Sequence, residues 1–489
     1  MSAQISHRNF IHSLAWAREN VGYSAHNICD IFQIEPSEKN EFLEKLQFRH
    51  IIRRVNTKRA SSQDSEEEDF ERYRENAEYA FCYAGIYAHK GCMAYILPKF
   101  ADTQKLAEPE LHKDISTVSV ERKIIFEQTL KAIRRYHSKR FAESELIEQD
   151  TPHCHDLMLM ITIVTDFAEN GEYHAEHQID RINGAGRYMW AHTINKKTAL
   201  IQHGTPVYGD IITRHRIKAP QHPITQLHKK IVEKCYSSLK QLGLTDLLGL
   251  PTYHQDDVSL ENEDGNYLLY LVNTELSQQF DTRRRHVLEL LKEYLSLYSS
   301  RHTQFAEEYT FGCSSLHMLW EEACREVLGE DDSDKIQIEP PTWHMSTQTC
   351  KEAGTLKPDM IFRIEEGTCI MDAKYYIPLE KRGNHVPKGL PGVNDITKQF
   401  LYQRALLTPN AYISTDGEIK QPIYNAFLMP APLSICGSSP IIRYATITMP
   451  LFPDLKIETL QISPIDILSS YAKYEKSDKL RKQIIQQLS

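Results

Sequence analysis

One short stretch constrains this chain more than any other: LKPDMIFRIEEGTCIMDAKYY, residues 356–376. Two β-type runs, 359–364 and 369–375, enclose Glu365-Glu366-Gly367-Thr368, which is a hairpin signal. With that four-residue loop, Ile364 pairs with Cys369, Ile361 falls opposite Asp372, and Asp359 falls opposite Lys374. Opposed residues share a face, and so do alternate residues of one strand, so Asp359, Asp372 and Lys374 converge. A half-buried strand tolerates such a face only when its charges are paired or neutralised. Two neighbouring carboxylates repel, and a divalent cation, Mg²⁺ or Mn²⁺, relieves the repulsion. The lysine can then orient an attacking water and offset the charge that builds on a phosphate. The competing reading is a salt-bridge ladder across an exposed hairpin.

The flanks favour the first reading. Upstream, SSLHMLWEEACREVLG (314–329) predicts an amphipathic helix with an apolar stripe of Leu316, Leu319, Trp320, Ala323 and Val327. Glu321 and Glu322 border that stripe, and either could reach the cation. Downstream, GVNDITKQFLYQRALL (392–407) predicts a helix capped by Asn394 or Asp395 and carrying Lys398, Gln399 and Tyr402. Two more β-type runs follow, YNAFLMPA and IIRYATITMP. Helix, strands, helix, strands is the order of an α/β core around a mixed β-sheet.

At 489 residues the chain is too long for one ordinary core. Three regions are expected: an N-terminal α+β region (1–150), a middle helical and strand region (151–300), and the C-terminal core (301–489). The first sixty residues read as mostly helical, and the acidic run SSQDSEEEDFE (61–71) as a solvated linker. AFCYAGIYAHKGCMAYILPKF (80–100) reads as a hairpin turning at His89-Lys90-Gly91. ERKIIFEQTLKAIRRYHSKRFAE has helical period, as does HDLMLMITIVTDFAENG, stopped by Gly171. RINGAGRYMWAHTIN and its sequel read as irregular and strand-rich, and DTRRRHVLELLKEYLSLY as a helix capped by Asp281 or Thr282. Between 181 and 230 stand Arg181, Arg187, Lys196, Lys197, Arg214, Arg216, Lys218, Lys229 and Lys230, against the single acid Asp210. In a chain of net charge −9 this is the best candidate for contact with phosphates. The alternative is a solvated or partner-facing basic patch.

Several classes are excluded. The ten cysteines form no C-x-x-C pair, so zinc ribbons and fingers are not expected. No run approaches the ~18 apolar residues of a membrane helix, and the N-terminal residues lack an apolar signal region, so a cytoplasmic protein is expected. There is no G-x-x-x-x-G-K-[ST], no G-x-G-x-x-G and no G-x-S-x-G. His153, Cys154 and His155, with His174 and His177 nearby, include an H-x-x-H order, but the surrounding sequence is charged and turn-rich rather than a clean helix face, so a metal site is not expected.

Pro358-Asp359 followed by Asp372-Ala373-Lys374, with Glu321 upstream and Lys398-Gln399 downstream, resembles the PD-(D/E)xK nuclease superfamily. YAGIYAHKGCMAYILPKF is similar to an N-terminal hairpin of McrC-like and LlaJI-type restriction proteins. NGAGRYMWAHTIN (183–195) resembles the N-G-x-G-x-x-x-W-x-x-T-I stretch of the LlaJI type, with Arg187-Tyr188-Met189 where an acidic residue often precedes the tryptophan. The resemblance implies a Mg²⁺- or Mn²⁺-dependent DNA endonuclease subunit acting on double-stranded DNA. Asp359, Asp372 and Glu321 would serve the metal, Lys374 the water and phosphate, and Gln399 would assist. It also implies an AAA+ GTPase or ATPase partner, since this chain shows no phosphate-cradling loop, with the N-terminal two-thirds as a docking and DNA-guiding module and partner docking placed in 1–150. The alternative is a regulatory subunit that stimulates such a partner and uses its nuclease fold as a DNA clamp.

Overall fold

The computed structural model describes residues 13–55, 77–101, 110–112, 120–143, 155–174, 176–218, 222–253, 264–299, 308–329, 336–346, 349–351, 354–365, 367–378, 389–414, 419, 422–432 and 440–489. The acidic run 61–71 lies outside them. The chain divides into two compact units. One comprises Met1–His155 together with Glu307–Ser489, and the other is the continuous segment Asp156–Ala306.

The first unit holds two five-stranded sheets. The N-terminal sheet runs in the order Glu308–Cys313, Ala84–His89, Cys92–Leu97, Ser13–Arg18, Glu110–His112. Its hairpin closes with His89 opposite Cys92, and Lys90 and Gly91 take positive φ angles of 47° and 82°. This is the two-residue turn whose twist suits antiparallel strands. The first sixty residues depart from the helical expectation. SLAWAR (Ser13–Arg18) is a strand paired in parallel with Cys92–Leu97, and Leu14 to Arg18 are all buried. A strand covered on both faces shows an unbroken apolar run, which periodicity alone cannot tell from a buried helix. NEFLEKLQFRHIIRRV starts as the helix Lys39–Phe48, turns at His50 (φ 53°) and ends as the strand Ile52–Arg54.

The strand Glu308–Cys313 closes this sheet against Ala84–His89 with Gly312 opposite Gly85. A Cβ on Gly312 would stand 2.4 Å from the Ala84 carbonyl oxygen and 2.3 Å from the Tyr83 ring. Only glycine allows that approach. At the other end of the strand, Glu308 gathers Lys45 at 2.7 Å, Arg49 at 2.7 Å, His89 Nδ1 at 3.0 Å and the Tyr87 hydroxyl at 2.9 Å.

The C-terminal sheet runs Met360–Ile364, Gly367–Ala373, Ile423–Pro430, Phe452–Ile462, Ile441–Met449. The three central strands are parallel to one another and both edge strands are antiparallel, so the sheet is mixed. Gly367–Ala373 is buried along its whole length. The helix Leu316–Leu328 lies against it and buries Leu316, Leu319, Trp320, Ala323 and Val327, each worth roughly 1–3 kcal/mol when withdrawn from water. Arg481, on the terminal helix Asp478–Leu488, donates to the carbonyls of Leu328 and Gly329 and so caps the end of Leu316–Leu328. The helix Val393–Leu407 packs on the same sheet, but its N-cap is Gly392 rather than Asn394 or Asp395.

The hairpin register also differs from expectation. Ile364 pairs with Gly367 and Met360 with Met371, so Asp359 falls opposite Asp372 and not Lys374. The connection is two residues shorter than the four read from sequence. A shift of two preserves which residues face together, because strand side chains alternate with period two.

The second unit contains the helices His155–Asn170, Pro223–Gln241, Gly265–Gln278 and Thr282–Ser299. Gly171 stops the first at φ 76°, and the Asp281 carboxylate accepts from the Arg284 N–H at 2.8 Å to begin the last. A three-stranded sheet orders Glu176–Ile182, Ile212–Lys218 and Arg187–Tyr188. The stretch expected to be irregular also contains the short helix Trp190–Lys196 and the hairpin Leu200–Gln202 with Thr205–Val207. Among the described residues no helix is long and apolar enough to cross a membrane.

Candidate active site

Asp372 is the last but one residue of the buried strand Gly367–Ala373, paired with Phe427, and Lys374 follows it with its N–H still donating to the Leu428 carbonyl. Asp359, just before the adjacent edge strand, is held by accepting the Ala373 N–H at 3.0 Å. The Tyr402 hydroxyl donates to the Lys357 carbonyl and holds the turn that leads into Pro358-Asp359. Lys374 Nζ lies 3.0 Å from Asp372 Oδ2. The structure therefore brings together all three residues of the expected constellation.

The electrostatics are those of crowded carboxylates. Burial, then the charge of Asp359, pushes Asp372 up to about 7. Burial, then the charge of Glu321, raises Asp359 above the usual carboxylate range. The charge of Asp359 disfavours ionisation of Asp372, so the two carboxyls do not titrate independently. Burial works against the Lys374 ammonium, but Asp372 and Asp395 outweigh it and raise its pKa. Tyr402 is pushed up to about 12 by burial and by the same aspartates.

The two upstream glutamates part company. Glu321 bears electrostatically on Asp359 and on the buried Cys324. Glu322 instead accepts from the Tyr471 hydroxyl at 2.8 Å and pairs with Lys139 at 3.3 Å. Gln399 is fully buried, and its amide donates to the Ala426 carbonyl at 3.3 Å, on the strand beside Asp372, rather than to either aspartate. Lys398 is exposed on the same helix. Asp395, read from sequence only as a helix cap, lies 3.4 Å from Lys374 Nζ. Its signal was its place on the first turn of a helix that packs on the strand leading to Lys374.

Asp359 and Asp372 offer hard oxygen ligands of the kind Mg²⁺ and Mn²⁺ take, and a dication would relieve their mutual repulsion. Among the described residues no group of three His, Cys, Asp or Glu side chains is arranged to hold an ion. A pair of carboxylates is a donor set of the kind used by a cation that keeps several waters, as magnesium does.

In the second unit the basic stretch is partly neutralised by acids from outside its sequence window. Arg214 pairs with Asp180 at 2.8 Å and Lys229 with Glu172 at 2.6 Å, while Lys197 pairs with Asp210 at 3.2 Å. Arg181, Arg187 and Lys196 are exposed. Arg216 and Lys218 lie on the strand Ile212–Lys218, and their side chains are outside the described set. Within N-G-x-G-x-x-x-W-x-x-T-I, three residues hold the backbone. Asn183, at φ 52°, accepts the Ile211 N–H at 2.8 Å, and buried Thr193 accepts that of Ile212 at 2.9 Å. A Cβ on Gly186 (φ 130°) would meet the Arg214 carbonyl oxygen at 2.2 Å. Tyr188, Trp190 and Ile194 instead stand exposed, Trp190 by 52%.

The chain resembles known proteins along most of its length. It is 26% identical over 361 residues to the type II restriction enzyme BsuMI component YdjA of Bacillus subtilis (strain 168), covering 72% of each protein. A solved assembly of Thermococcus gammatolerans McrB AAA+ hexamers with bound McrC aligns with 94% of this chain and 99% of that one. There the identity is 12% and the TM-score 0.40, too low to argue from. Residues 83–435 match the LlaJI restriction endonuclease family, and the chain belongs to that family.

Proposed function

We propose that this chain is the DNA-cutting subunit of a restriction system, a Mg²⁺- or Mn²⁺-dependent endonuclease of the PD-(D/E)xK kind. The observation that carries the reading is the opposition of half-buried Asp359 to buried Asp372, with Lys374 3.0 Å from Asp372. A scaffold has no use for two desolvated carboxylates that repel, and such pairs concentrate where chemistry needs them. Asp359 and Asp372 would hold the cation, with Glu321 assisting. The bound cation supplies Lewis-acid stabilisation of the phosphate and a more acidic water. The Ala373 N–H fixes the Asp359 carboxylate in one rotamer. Lys374 would orient the attacking water and donate to a phosphate oxygen as negative charge grows there.

The regulatory alternative is separated by Lys374→Ala. In Mg²⁺, with double-stranded DNA and the NTPase partner present, the variant is expected to lose about 10²-fold in cleavage rate while stimulating the partner's NTP hydrolysis as the wild type does. Cleavage at the wild-type rate would overturn the nuclease reading.

The second unit supports a docking role. Once Asn183, Gly186 and Thr193 are assigned to holding the backbone, Trp190 remains as an exposed aromatic beside Tyr188, their rings 6.2 Å apart. Leu200, Ile201 and Val207 are exposed nearby in sequence, on the hairpin Leu200–Gln202 with Thr205–Val207. An aromatic and aliphatic face of this kind, carrying Arg181, Arg187 and Lys196, fits an AAA+ GTPase or ATPase partner, with DNA phosphates at its margin. Trp190→Ala is expected to weaken partner binding by about 30-fold, the loss of one interface anchor. Its thermal unfolding in the absence of partner should match the wild type, and calorimetry of the complex checks both.

A further inference from the structure

Lys374 stands between two carboxylates that belong to different elements. Its Nζ is 3.0 Å from Asp372 Oδ2, at the end of the central strand, and 3.4 Å from Asp395 Oδ1, on the first turn of the helix Val393–Leu407. Asp395 is largely withdrawn from solvent, its side chain 11% exposed, and its one ion-pair partner among the described residues is Lys374. It does not cap its helix, because the N-cap is Gly392.

The arrangement creates a conflict at Asp372. The ammonium occupies Asp372 Oδ2, and a dication bound to the same carboxylate would repel it at close range. Cation binding at Asp372 is therefore favoured when the ammonium shifts away. Lysine is a compact charge on a flexible stem with three donors, so it can move between acceptors if a second one waits within reach. Asp395 is that acceptor. With it, the ammonium keeps a charged partner after leaving Asp372; without it, the ammonium would face partial burial unpaired.

We propose that Asp395 is a positioning residue for Lys374, receiving its ammonium when a divalent cation takes Asp372. The inference rests on the nuclease reading for its purpose, but its physical content is a coupling between Asp395, Lys374 and cation affinity. Asp395 thus sets both how readily the cation enters and where the ammonium points once it has entered.

The test is a double-mutant cycle on the full chain, with Mn²⁺ alone as the probe and free Mn²⁺ followed by electron paramagnetic resonance. Asp395→Asn is expected to weaken Mn²⁺ binding by about tenfold, and by less than about threefold in the Lys374→Met background, where no ammonium has to be moved. Asp395→Glu, which retains the acceptor, should bind within about threefold of wild type. Asp395→Ser replaces the asparagine variant in the cycle if the latter does not fold. Equal losses in both backgrounds would make Asp395 a ligand or a plain charge and overturn the proposal, as would no loss or a wild-type chain that binds no Mn²⁺. A parallel cleavage assay keeps the two readings apart. The predicted coupling in a chain that cuts no DNA would sink the nuclease reading alone, whereas cleavage without the coupling would sink only the role of Asp395.

Discussion

Asp372→Asn is expected to lower DNA cleavage by about 10³-fold or more, a loss of roughly 4 kcal/mol of transition-state stabilisation, and yet to make the metal-free protein more stable. Both effects come from one property. Burial and Asp359 push Asp372 up to about 7, while the unfolded carboxyl titrates near 3.9. A folded-state pKa above the unfolded one means that the native state holds a proton the unfolded chain would release. The associated stability is complete below about pH 4 and is lost as pH rises through 7. Asparagine cannot ionise and escapes that loss. In chelator, the variant should therefore gain on wild type as pH rises from 5 to 8. Urea unfolding at the two pH values measures the difference, and gel assays in Mg²⁺ measure the cleavage. A variant that cuts normally, or a stability difference that is flat with pH, would remove the basis of the site.

Glu308→Ala is expected to cost about 3 kcal/mol in the stability of the first unit, the largest effect anticipated away from the active site. The carboxylate joins a strand that follows the second unit in sequence to the helix Lys39–Phe48 and the hairpin at His89. Its removal leaves Arg49 and His89 without their acceptor in a largely enclosed place; Lys45, 42% exposed, returns to water at little cost. Burial works against the Glu308 charge, but His89, Lys45, Arg49 and Tyr87 outweigh it and hold the group down to about 2. The folded pKa lies below the unfolded value near 4.3, so this stability is present above about pH 4.3 and is lost as pH falls toward 2. Wild type should lose stability across that window and Glu308→Ala should not. Denaturant unfolding at pH 5 and pH 3 tests the sign as well as the size.

The charge cluster was more legible in the sequence than its exact geometry. The convergence of Asp359, Asp372 and Lys374 could be read because strand alternation is insensitive to a register error of two, which is the error made at Glu365-Glu366. The apolar stripe of Leu316–Leu328 was equally plain, since 3.6-residue periodicity survives wherever one face is buried. Asp395 was hidden because an acid on a first helical turn already has a local explanation in capping. The charge of 181–230 was overestimated because Asp180 and Glu172, the partners of Arg214 and Lys229, fall just outside that window. Ser13–Arg18 was missed because a strand buried on both faces carries no alternation to detect.

The sheet edge at Gly85 and Gly312 carries a temporal consequence. A ribosome releases Ala84–His89 more than two hundred residues before Glu308–Cys313, so one side of that hairpin strand waits without its neighbour while Asp156–Ala306 emerges. The contiguous unit can complete itself during synthesis, but the discontinuous unit cannot close until its second half has left the ribosome. An interrupted translation product would then present the exposed face around Trp190 without the cluster of Asp359, Asp372 and Lys374.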